Sequence, residues 1–304
     1  MNVAMVTMTR NDDCRFNQWV SLYKEYKEVL YLHIIVDNDS TPNYQKKLHD
    51  YFPNSVIIEL GYNGGCTAAY NAGIRYALQD ANVDAIALIG NDIKFLPEEI
   101  VKLYNFLYSD NRYGMVFPRV QNPTVGSETI NSFGNMIGRY TFEMIDLDHG
   151  KKVSDMPDFR ICDTGPGGCN LAKPSFYNSV GLQDEKLFMY SDEVDMGIRA
   201  RKQGVLMAIM KNSEAWHLHI YETKTRTRNK HVAYLIARNK VYLSRKHYGY
   251  YTAIRAFSYW CIKGLKSAIA CIIRKKGKDE VEYFFTMLRG AFDGFRGKMD
   301  DNSF

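Results

Sequence analysis

Long apolar runs are absent from this chain of 304 residues. None reaches the roughly 18 residues that a helix needs to span a bilayer, so a membrane-spanning helix is excluded. Cysteine is sparse: Cys14, Cys66, Cys162, Cys169, Cys261 and Cys271 include no CxxC pair and no histidine at zinc-ligand spacing. That leaves neither a zinc finger nor a disulfide framework. No signal peptide precedes the first strand pattern, and the thiols read as reduced, which sets the expectation of a cytoplasmic protein. Two phosphate-binding fingerprints are also missing. No GxGxxG follows the first strand pattern and no GxxxxGK[ST] occurs anywhere, so the dinucleotide oxidoreductase and P-loop readings fall away.

What remains is ordinary for a folded chain, with 46% hydrophobic and 24% charged residues, enough for one large domain and an appendage. Charge is distributed unevenly. Between Glu222 and Lys278 there are 15 Lys or Arg and a single acid, and the rest of the chain is net acidic although the total is +5. A basic segment of this kind suits a polyanionic partner such as anionic lipid, a phosphorylated substrate or nucleic acid.

Residues 1–120 alternate apolar runs with helical patterns. Strands are expected at Asn2–Thr9, Tyr31–Val36, Ser55–Leu60, Asp84–Ile89 and Tyr113–Phe117, and helices at Phe16–Val29, Pro42–Tyr51, Cys66–Leu78 and Pro97–Tyr108. Such alternation implies a parallel sheet with helices on both faces. Polar clusters follow the strands at Thr7 to Asn11, Asp37 to Asp39, Asn63-Gly64-Gly65 and Asn91-Asp92. In a parallel sheet they gather along one edge, the pattern of a nucleotide pocket. Asp92 ends a buried strand and reads equally as a turn residue.

Residues 118–159 break into turns around β-like pieces such as Tyr140–Ile145, a variable insertion or lid. The glycines of Thr164 to Ala172, Gly167 and Gly168 among them, suit a backbone that passes close to a sugar or phosphate, or a plain loop. Phe188–Gly204 reads as a helix capped by Ser191, with Asp192, Glu193 and Asp195 near its start. Acids there satisfy the helix dipole, and they also suit a general base at a cleft mouth. A strand at Val205–Ile209 leads to Trp216-His217. Asp92 with His217 makes a plausible hard-cation site for Mn²⁺ or Mg²⁺ holding a diphosphate. Tyr250–Ile273 carries a helical stripe of Ile254, Phe257, Cys261, Leu265, Ala268 and Ile272, with Arg255, Lys263 and Lys266 on another face. It suits a membrane interface or a packed helix.

With these motifs in this order, the sequence resembles glycosyltransferase family 2, inverting enzymes of the GT-A fold, nearest to the bacterial rhamnosyltransferase and galactofuranosyltransferase branch. The resemblance covers about residues 2–246. It implies an α/β fold with a mostly parallel nucleotide-binding sheet flanked by helices. It implies a catalytic domain over 1–221, with a nucleotide half to about 120 and an acceptor half beyond, and a basic helical region over 222–304.

Carried over residue by residue, Thr7, Arg10 and Asp37 would hold the nucleoside. Asn63, Gly64 and Gly65, followed by Asn71, match the segment after the third strand. Asn91 and Asp92 match the end of the metal-binding Asp-x-Asp motif, whose first acid is Gly90 here. Glu193 matches the base, with Asp192 as its rival. Trp216-His217 matches the Trp-His that supplies a metal ligand, and Arg238-Asn239 also looks like this branch.

The implied reaction moves a sugar, rhamnose or another hexose, from a dTDP or UDP type donor to a hydroxyl of a glycan or a polyprenyl-diphosphate-linked acceptor, in cell-surface polysaccharide synthesis. Mn²⁺ or Mg²⁺ is the expected cofactor. The expected setting is the inner face of the cell membrane, approached through residues 222–278, with a homodimer as a further expectation and no nucleic acid partner. Arg226, Arg228 or Lys230 would add charge at the diphosphate. The competing readings are a sugar nucleotidyltransferase, which lacks its glycine-rich loop after the first strand, a nucleic-acid binder, and an inactive sugar-nucleotide-binding scaffold, which Gly90 keeps open.

Overall fold

The computed structural model describes residues 1–121, 126, 128–138, 141–146, 148–218, 226–273 and 279–300. The chain divides into two compact units: Met1–Met136, Ile145–Glu185 and Met196–His219 in the first, and Ile137–Met144, Lys186–Asp195 and Ile220–Phe304 in the second.

The first unit is built on a sheet of nine strands. β1 (Val3–Thr9), β2 (Leu32–Asp37), β3 (Val56–Glu59) and β4 (Ala85–Ile89) run parallel in the order β3-β2-β1-β4. Between them the chain passes through α1 (Phe16–Tyr26), α2 (Pro42–Tyr51) and α3 (Gly65–Ala77). Every residue of β4 is buried, as expected for a central strand covered on both faces. α2 opens on a proline, as does α4 (Pro97–Leu107) after β5 (Ile93–Phe95), because the missing N–H costs nothing in the first turn.

β6 (Tyr113–Gln121) continues the sheet, and residues 135–146 add a two-stranded sheet of β7 (Asn135–Ile137) and β8 (Met144–Asp146). The expected β-like piece at 140–145 corresponds only to β8, and Tyr140 lies outside the described residues. β9 (Phe159–Cys162) and β10 (Cys169–Ala172) follow, then α5 (Pro174–Val180), α6 (Asp192–Lys202) and β11 (Leu206–His217). β10 inserts antiparallel between β4 and β6. Beyond it lie β11, parallel to β6, and β5 and β9, both antiparallel to β11.

The sheet is therefore parallel over its first four strands and mixed beyond. Its helices separate into two apolar layers. Phe16, Trp19, Leu48 and Leu103 of α1, α2 and α4 belong to one cluster, and Ile74, Phe176 and Met196 of α3, α5 and α6 to the other. Gly73 lets α3 close on β1, since a Cβ there would overlap Val6.

Two expectations change here. β11 runs on to His217, because its last residues pair with β5, so Trp216 and His217 lie on the strand rather than after it. The helix expected from Phe188 starts at Asp192. Phe188, Tyr190 and Ser191 all have positive φ (63°, 69° and 65°), which no right-handed helix accommodates.

The second unit contains α7 (Arg226–Ile273), interrupted at Gly249 with φ 82°, and α8 (Asp279–Arg296). The two helices cross at glycine. A Cβ on Gly290 or Gly294 would collide with the backbone carbonyls of Tyr234 and Arg238, so each glycine admits one turn of α7. Tyr234 donates its hydroxyl to Asp293 at 2.8 Å across this crossing. Beyond Gly249, Ala253, Ala256, Trp260 and Ala268 face inward, whereas Ile254 and Leu265 are exposed. The single stripe expected from sequence thus divides between two faces, and the side chain of Ile272 is outside the description.

Candidate active site

In the first unit the site starts at the carboxyl end of β4. The chain turns through Gly90, whose N–H donates to the Gly168 carbonyl at 2.8 Å, and re-enters the sheet as β5. Antiparallel pairing of β5 with β11 sets Ile93 opposite His217. That register brings His217 Nε2 to 3.0 Å from Asp92 Oδ2, and the Leu218 N–H donates to the Asp92 carbonyl at 2.9 Å. Burial raises the Asp92 carboxyl, but hydrogen bonding to His217 and the charges of His217 and Arg15 outweigh it, holding the group below its ordinary value.

An oxygen and a nitrogen 3.0 Å apart suit two adjacent positions on an octahedral divalent ion with ligands at about 2.1 Å. No group of three or more His, Cys, Asp or Glu able to hold a metal occurs among the described residues. The absent first acid has a steric counterpart. A Cβ on Gly90 would lie 2.9 Å from Asp92 Oδ1, so a side chain there presses on the carboxylate.

Residues not foreseen complete this corner. Arg15 donates through Nε to Asp12 Oδ2 at 2.9 Å and brings Nη1 to 3.8 Å from Asp92 Oδ2. Asn91 donates to Asp12 Oδ2 at 2.9 Å. The signal was present, since Asp12 follows the polar loop after β1, but its use depends on β1 and β4 being neighbours.

At the end of β2, Asp37 is fully buried. Its Oδ2 accepts from Gln45 Nε2 at 2.9 Å and from the Ser40 N–H at 3.2 Å, while Oδ1 has no hydrogen-bond partner. A buried acceptor left open in this way is costly unless a ligand completes it. Asn38, within the polar cluster expected after this strand, ties the loop to the next: it donates to Asn63 Oδ1 at 3.1 Å and accepts the Gly64 N–H at 2.8 Å. Asn63 Oδ1 accepts the Gly65 N–H at 3.2 Å. Arg10 is exposed and 3.7 Å from Asp39. Thr7 lies within β1 with its buried hydroxyl unpartnered.

Gly167 and Gly168 form the turn before β10, with Gly168 at φ 77° and open space where a Cβ would stand. Trp216 is half-buried opposite Lys94 and Gln121. Asn71 is committed elsewhere. Its amide donates to the Gln183 carbonyl and to Glu185 Oε1, both at 2.9 Å, and its oxygen accepts the Gln183 N–H at 3.0 Å.

The second unit holds the acidic pair. Asp192 is buried and Glu193 half-buried. Burial raises both carboxyls, and the Glu193 charge raises Asp192 further. Asp195, fully buried, accepts from Lys246 Nζ and His247 Nε2 at 2.7 Å each.

The left-handed approach to the pair is held by α7. Asn239 donates to the carbonyls of Leu187, Met189 and Tyr190 at 3.0, 2.9 and 2.8 Å. The fully buried Arg238 donates through Nη2 to Leu187 at 3.1 Å and through Nη1 to Met299 at 3.2 Å. Lys230 pairs with Glu282, and the side chains of Arg226 and Arg228 lie outside the description.

A model described as glycosyl transferase family 2 matches residues 21–163, a span that includes Asp37, Asn63 and Asp92. Over those residues the chain is similar to glycosyltransferase family 2. The match ends before Asp192, Glu193 and His217. The chain is 24% identical over 276 residues to the low-salt glycan biosynthesis hexosyltransferase Agl10 of Haloferax volcanii, covering 87% of this chain and 83% of the relative. It is 24% identical over 247 residues to the N-acetylglucosaminyl-diphospho-decaprenol L-rhamnosyltransferase of Mycobacterium tuberculosis, covering 76% of this chain and 79% of the relative.

In fold, the chain is similar to GalNAc-T7, solved with UDP, GalNAc and Mn²⁺, with a TM-score of 0.63 at 12% identity over 80% of this chain. It spans 47% of that longer chain. The architecture is that of GT-A glycosyltransferases.

Proposed function

We propose that the protein transfers a sugar from a nucleoside-diphosphate donor to a hydroxyl of a glycan or lipid-linked acceptor, with inversion at the anomeric carbon. The observation that carries this reading is the Asp92–His217 pair, 3.0 Å apart at the carboxyl end of β4, where open α/β sheets bind their ligands. Rhamnose from a dTDP or UDP type donor is the favoured sugar, in keeping with the name of the mycobacterial relative.

In this reading Asp37 and the loop after β1, with Thr7 and Arg10, receive the nucleoside, and the open Oδ1 of Asp37 accepts a ligand hydrogen bond. Asn63, Gly64, Gly65, Asn91, Gly167, Gly168 and Trp216 border the sugar diphosphate, whereas Asn71 is taken up by Gln183 and Glu185. Asp92 and His217 would hold a divalent cation, which when bound supplies positive charge to the departing diphosphate. Glu193 takes the proton of the attacking hydroxyl, because its raised pKa makes it a stronger base than an ordinary carboxylate. Asp192 retains its own proton and steadies Glu193 through it.

The test is a transfer assay with a panel of sugar nucleotides and a synthetic N-acetylglucosaminyl-diphospho-lipid, with product configuration read by NMR. Transfer with inverted configuration is expected. Retained configuration would overturn the single-displacement mechanism, and donor binding without transfer to any acceptor would favour the scaffold.

A further inference from the structure

Beyond Gly249 the outward face of α7 is apolar except at Ser258. Tyr251, Ile254, Ile262, Leu265, Ile269 and Ile273 are between 47% and 75% exposed, and their spacing, with Ser258 filling the one long gap, follows the i, i+3, i+4 rhythm of a single stripe. At 1.5 Å per residue the stripe is about 33 Å long. The opposite face of the same helix is satisfied, with Ala256 and Trp260 clustered with Met287 and Ala291 of α8. A Cβ on Gly264 would lie 2.6 Å from the Phe284 ring. The exposed stripe is therefore a second apolar face and not the core-packing one.

Its border is basic. Arg255 and Lys266 are exposed beside it, no Asp or Glu occurs between Glu222 and Asp279, and Arg274, Lys275, Lys276 and Lys278 follow directly in sequence. Tyr250 and Tyr251 are exposed at its start, the residue type favoured at bilayer headgroup level.

We infer that this face of α7 lies in the surface of an anionic bilayer, with the Tyr251–Ile273 stripe in the acyl boundary and the flanking Arg and Lys among the headgroups. Charge chooses this occupant over a second copy of the chain, since pairing the face with itself would bring one basic border against another. No α-helix among the described residues is long and apolar enough to cross a membrane, so the helix lies on the bilayer. The inference stands apart from the catalytic assignment, because vesicle binding is read without turnover.

The experiment is flotation of the full chain with phosphatidylcholine vesicles and with vesicles containing phosphatidylglycerol, at low and high salt. The native protein floats with the anionic vesicles, less at high salt. Ile262→Glu with Leu265→Glu lowers the bound fraction at least tenfold at unchanged circular dichroism and unchanged size-exclusion mass. Arg255→Glu with Lys266→Glu, which leaves the apolar stripe intact, removes most of the salt-sensitive part. Absence of flotation at every salt concentration, or undiminished flotation of both variants, overturns the inference. So does a native dimer that the Ile262 and Leu265 changes convert to monomer without any flotation, which would assign the face to a second copy.

Discussion

Asn239 donates to the Tyr190 carbonyl at 2.8 Å, directly before the acidic pair, and shares the same amide with Leu187 and Met189. Tyr190 and the following Ser191 are both left-handed, a conformation that costs a non-glycine residue of order 1 kcal/mol or more and persists only where neighbours hold it. Asn239 is thus a positioning residue for Glu193. Asn239→Ala should lower kcat roughly tenfold to a hundredfold, the scale of a small misplacement of a reacting group, with the donor KM unchanged. Steady-state kinetics checks this, and an unaltered kcat would release Asn239 from the role.

Glu193→Gln keeps the shape and removes the base of the proposed mechanism. Transfer should fall at least a hundredfold while calorimetric donor binding persists. In the native enzyme the acidic limb of kcat/KM should lie above the ordinary glutamate value of 4.5, because Glu193 is raised and must be deprotonated to act. A limb at or below that value would move the base elsewhere.

Asp192 makes a separate prediction about stability. Its folded-state pKa is raised well above its ordinary value, by burial first and then by Glu193. The folded state therefore holds the proton more tightly than the unfolded chain. The associated cost is absent below the unfolded carboxyl pKa, grows as pH rises between the two values and is complete above the folded one. Asp192→Asn, which still presents a donor to Glu193, should raise the melting temperature relative to native at neutral pH. The gain should shrink toward acid, and a gain independent of pH would contradict the assignment.

The crossing of α7 and α8 has no room for a methyl group. Gly294→Ala would set a Cβ against the Arg238 carbonyl, and overpacking against backbone of this kind costs about 1–3 kcal/mol. Chemical denaturation should register the loss. Because Arg238 and Asn239 hold the approach to Glu193, kcat should fall with it.

How much of this was legible in the sequence follows from how local each signal was. The strand of Ala85–Ile89, the proline-started helices and the carboxylate at Asp92 were read within a few residues, because period, turn chemistry and strand ends are local properties. β10 was missed as a strand, since four residues after a glycine turn carry little periodicity and its place between β4 and β6 is set by distant partners. The extension of β11 to His217 likewise depends on pairing with β5. Asp12 and Arg15 escape a sequence reading because they meet Asn91 and Asp92, which lie in another loop of the same sheet edge. The apolar face of α7 was assigned as one stripe where two exist, because periodicity identifies apolar positions without saying which of them another helix covers.

The account rests most directly on the pairing of Asp92 with His217, and calorimetric titration of UDP, dTDP and GDP, with and without Mn²⁺, tests it on the native protein and on Asp92→Ala. The account predicts that one nucleotide binds, that Mn²⁺ tightens its binding at least tenfold, and that Asp92→Ala abolishes the Mn²⁺ effect. Binding of no nucleotide, or tight binding indifferent both to Mn²⁺ and to loss of the Asp92 carboxylate, would contradict it.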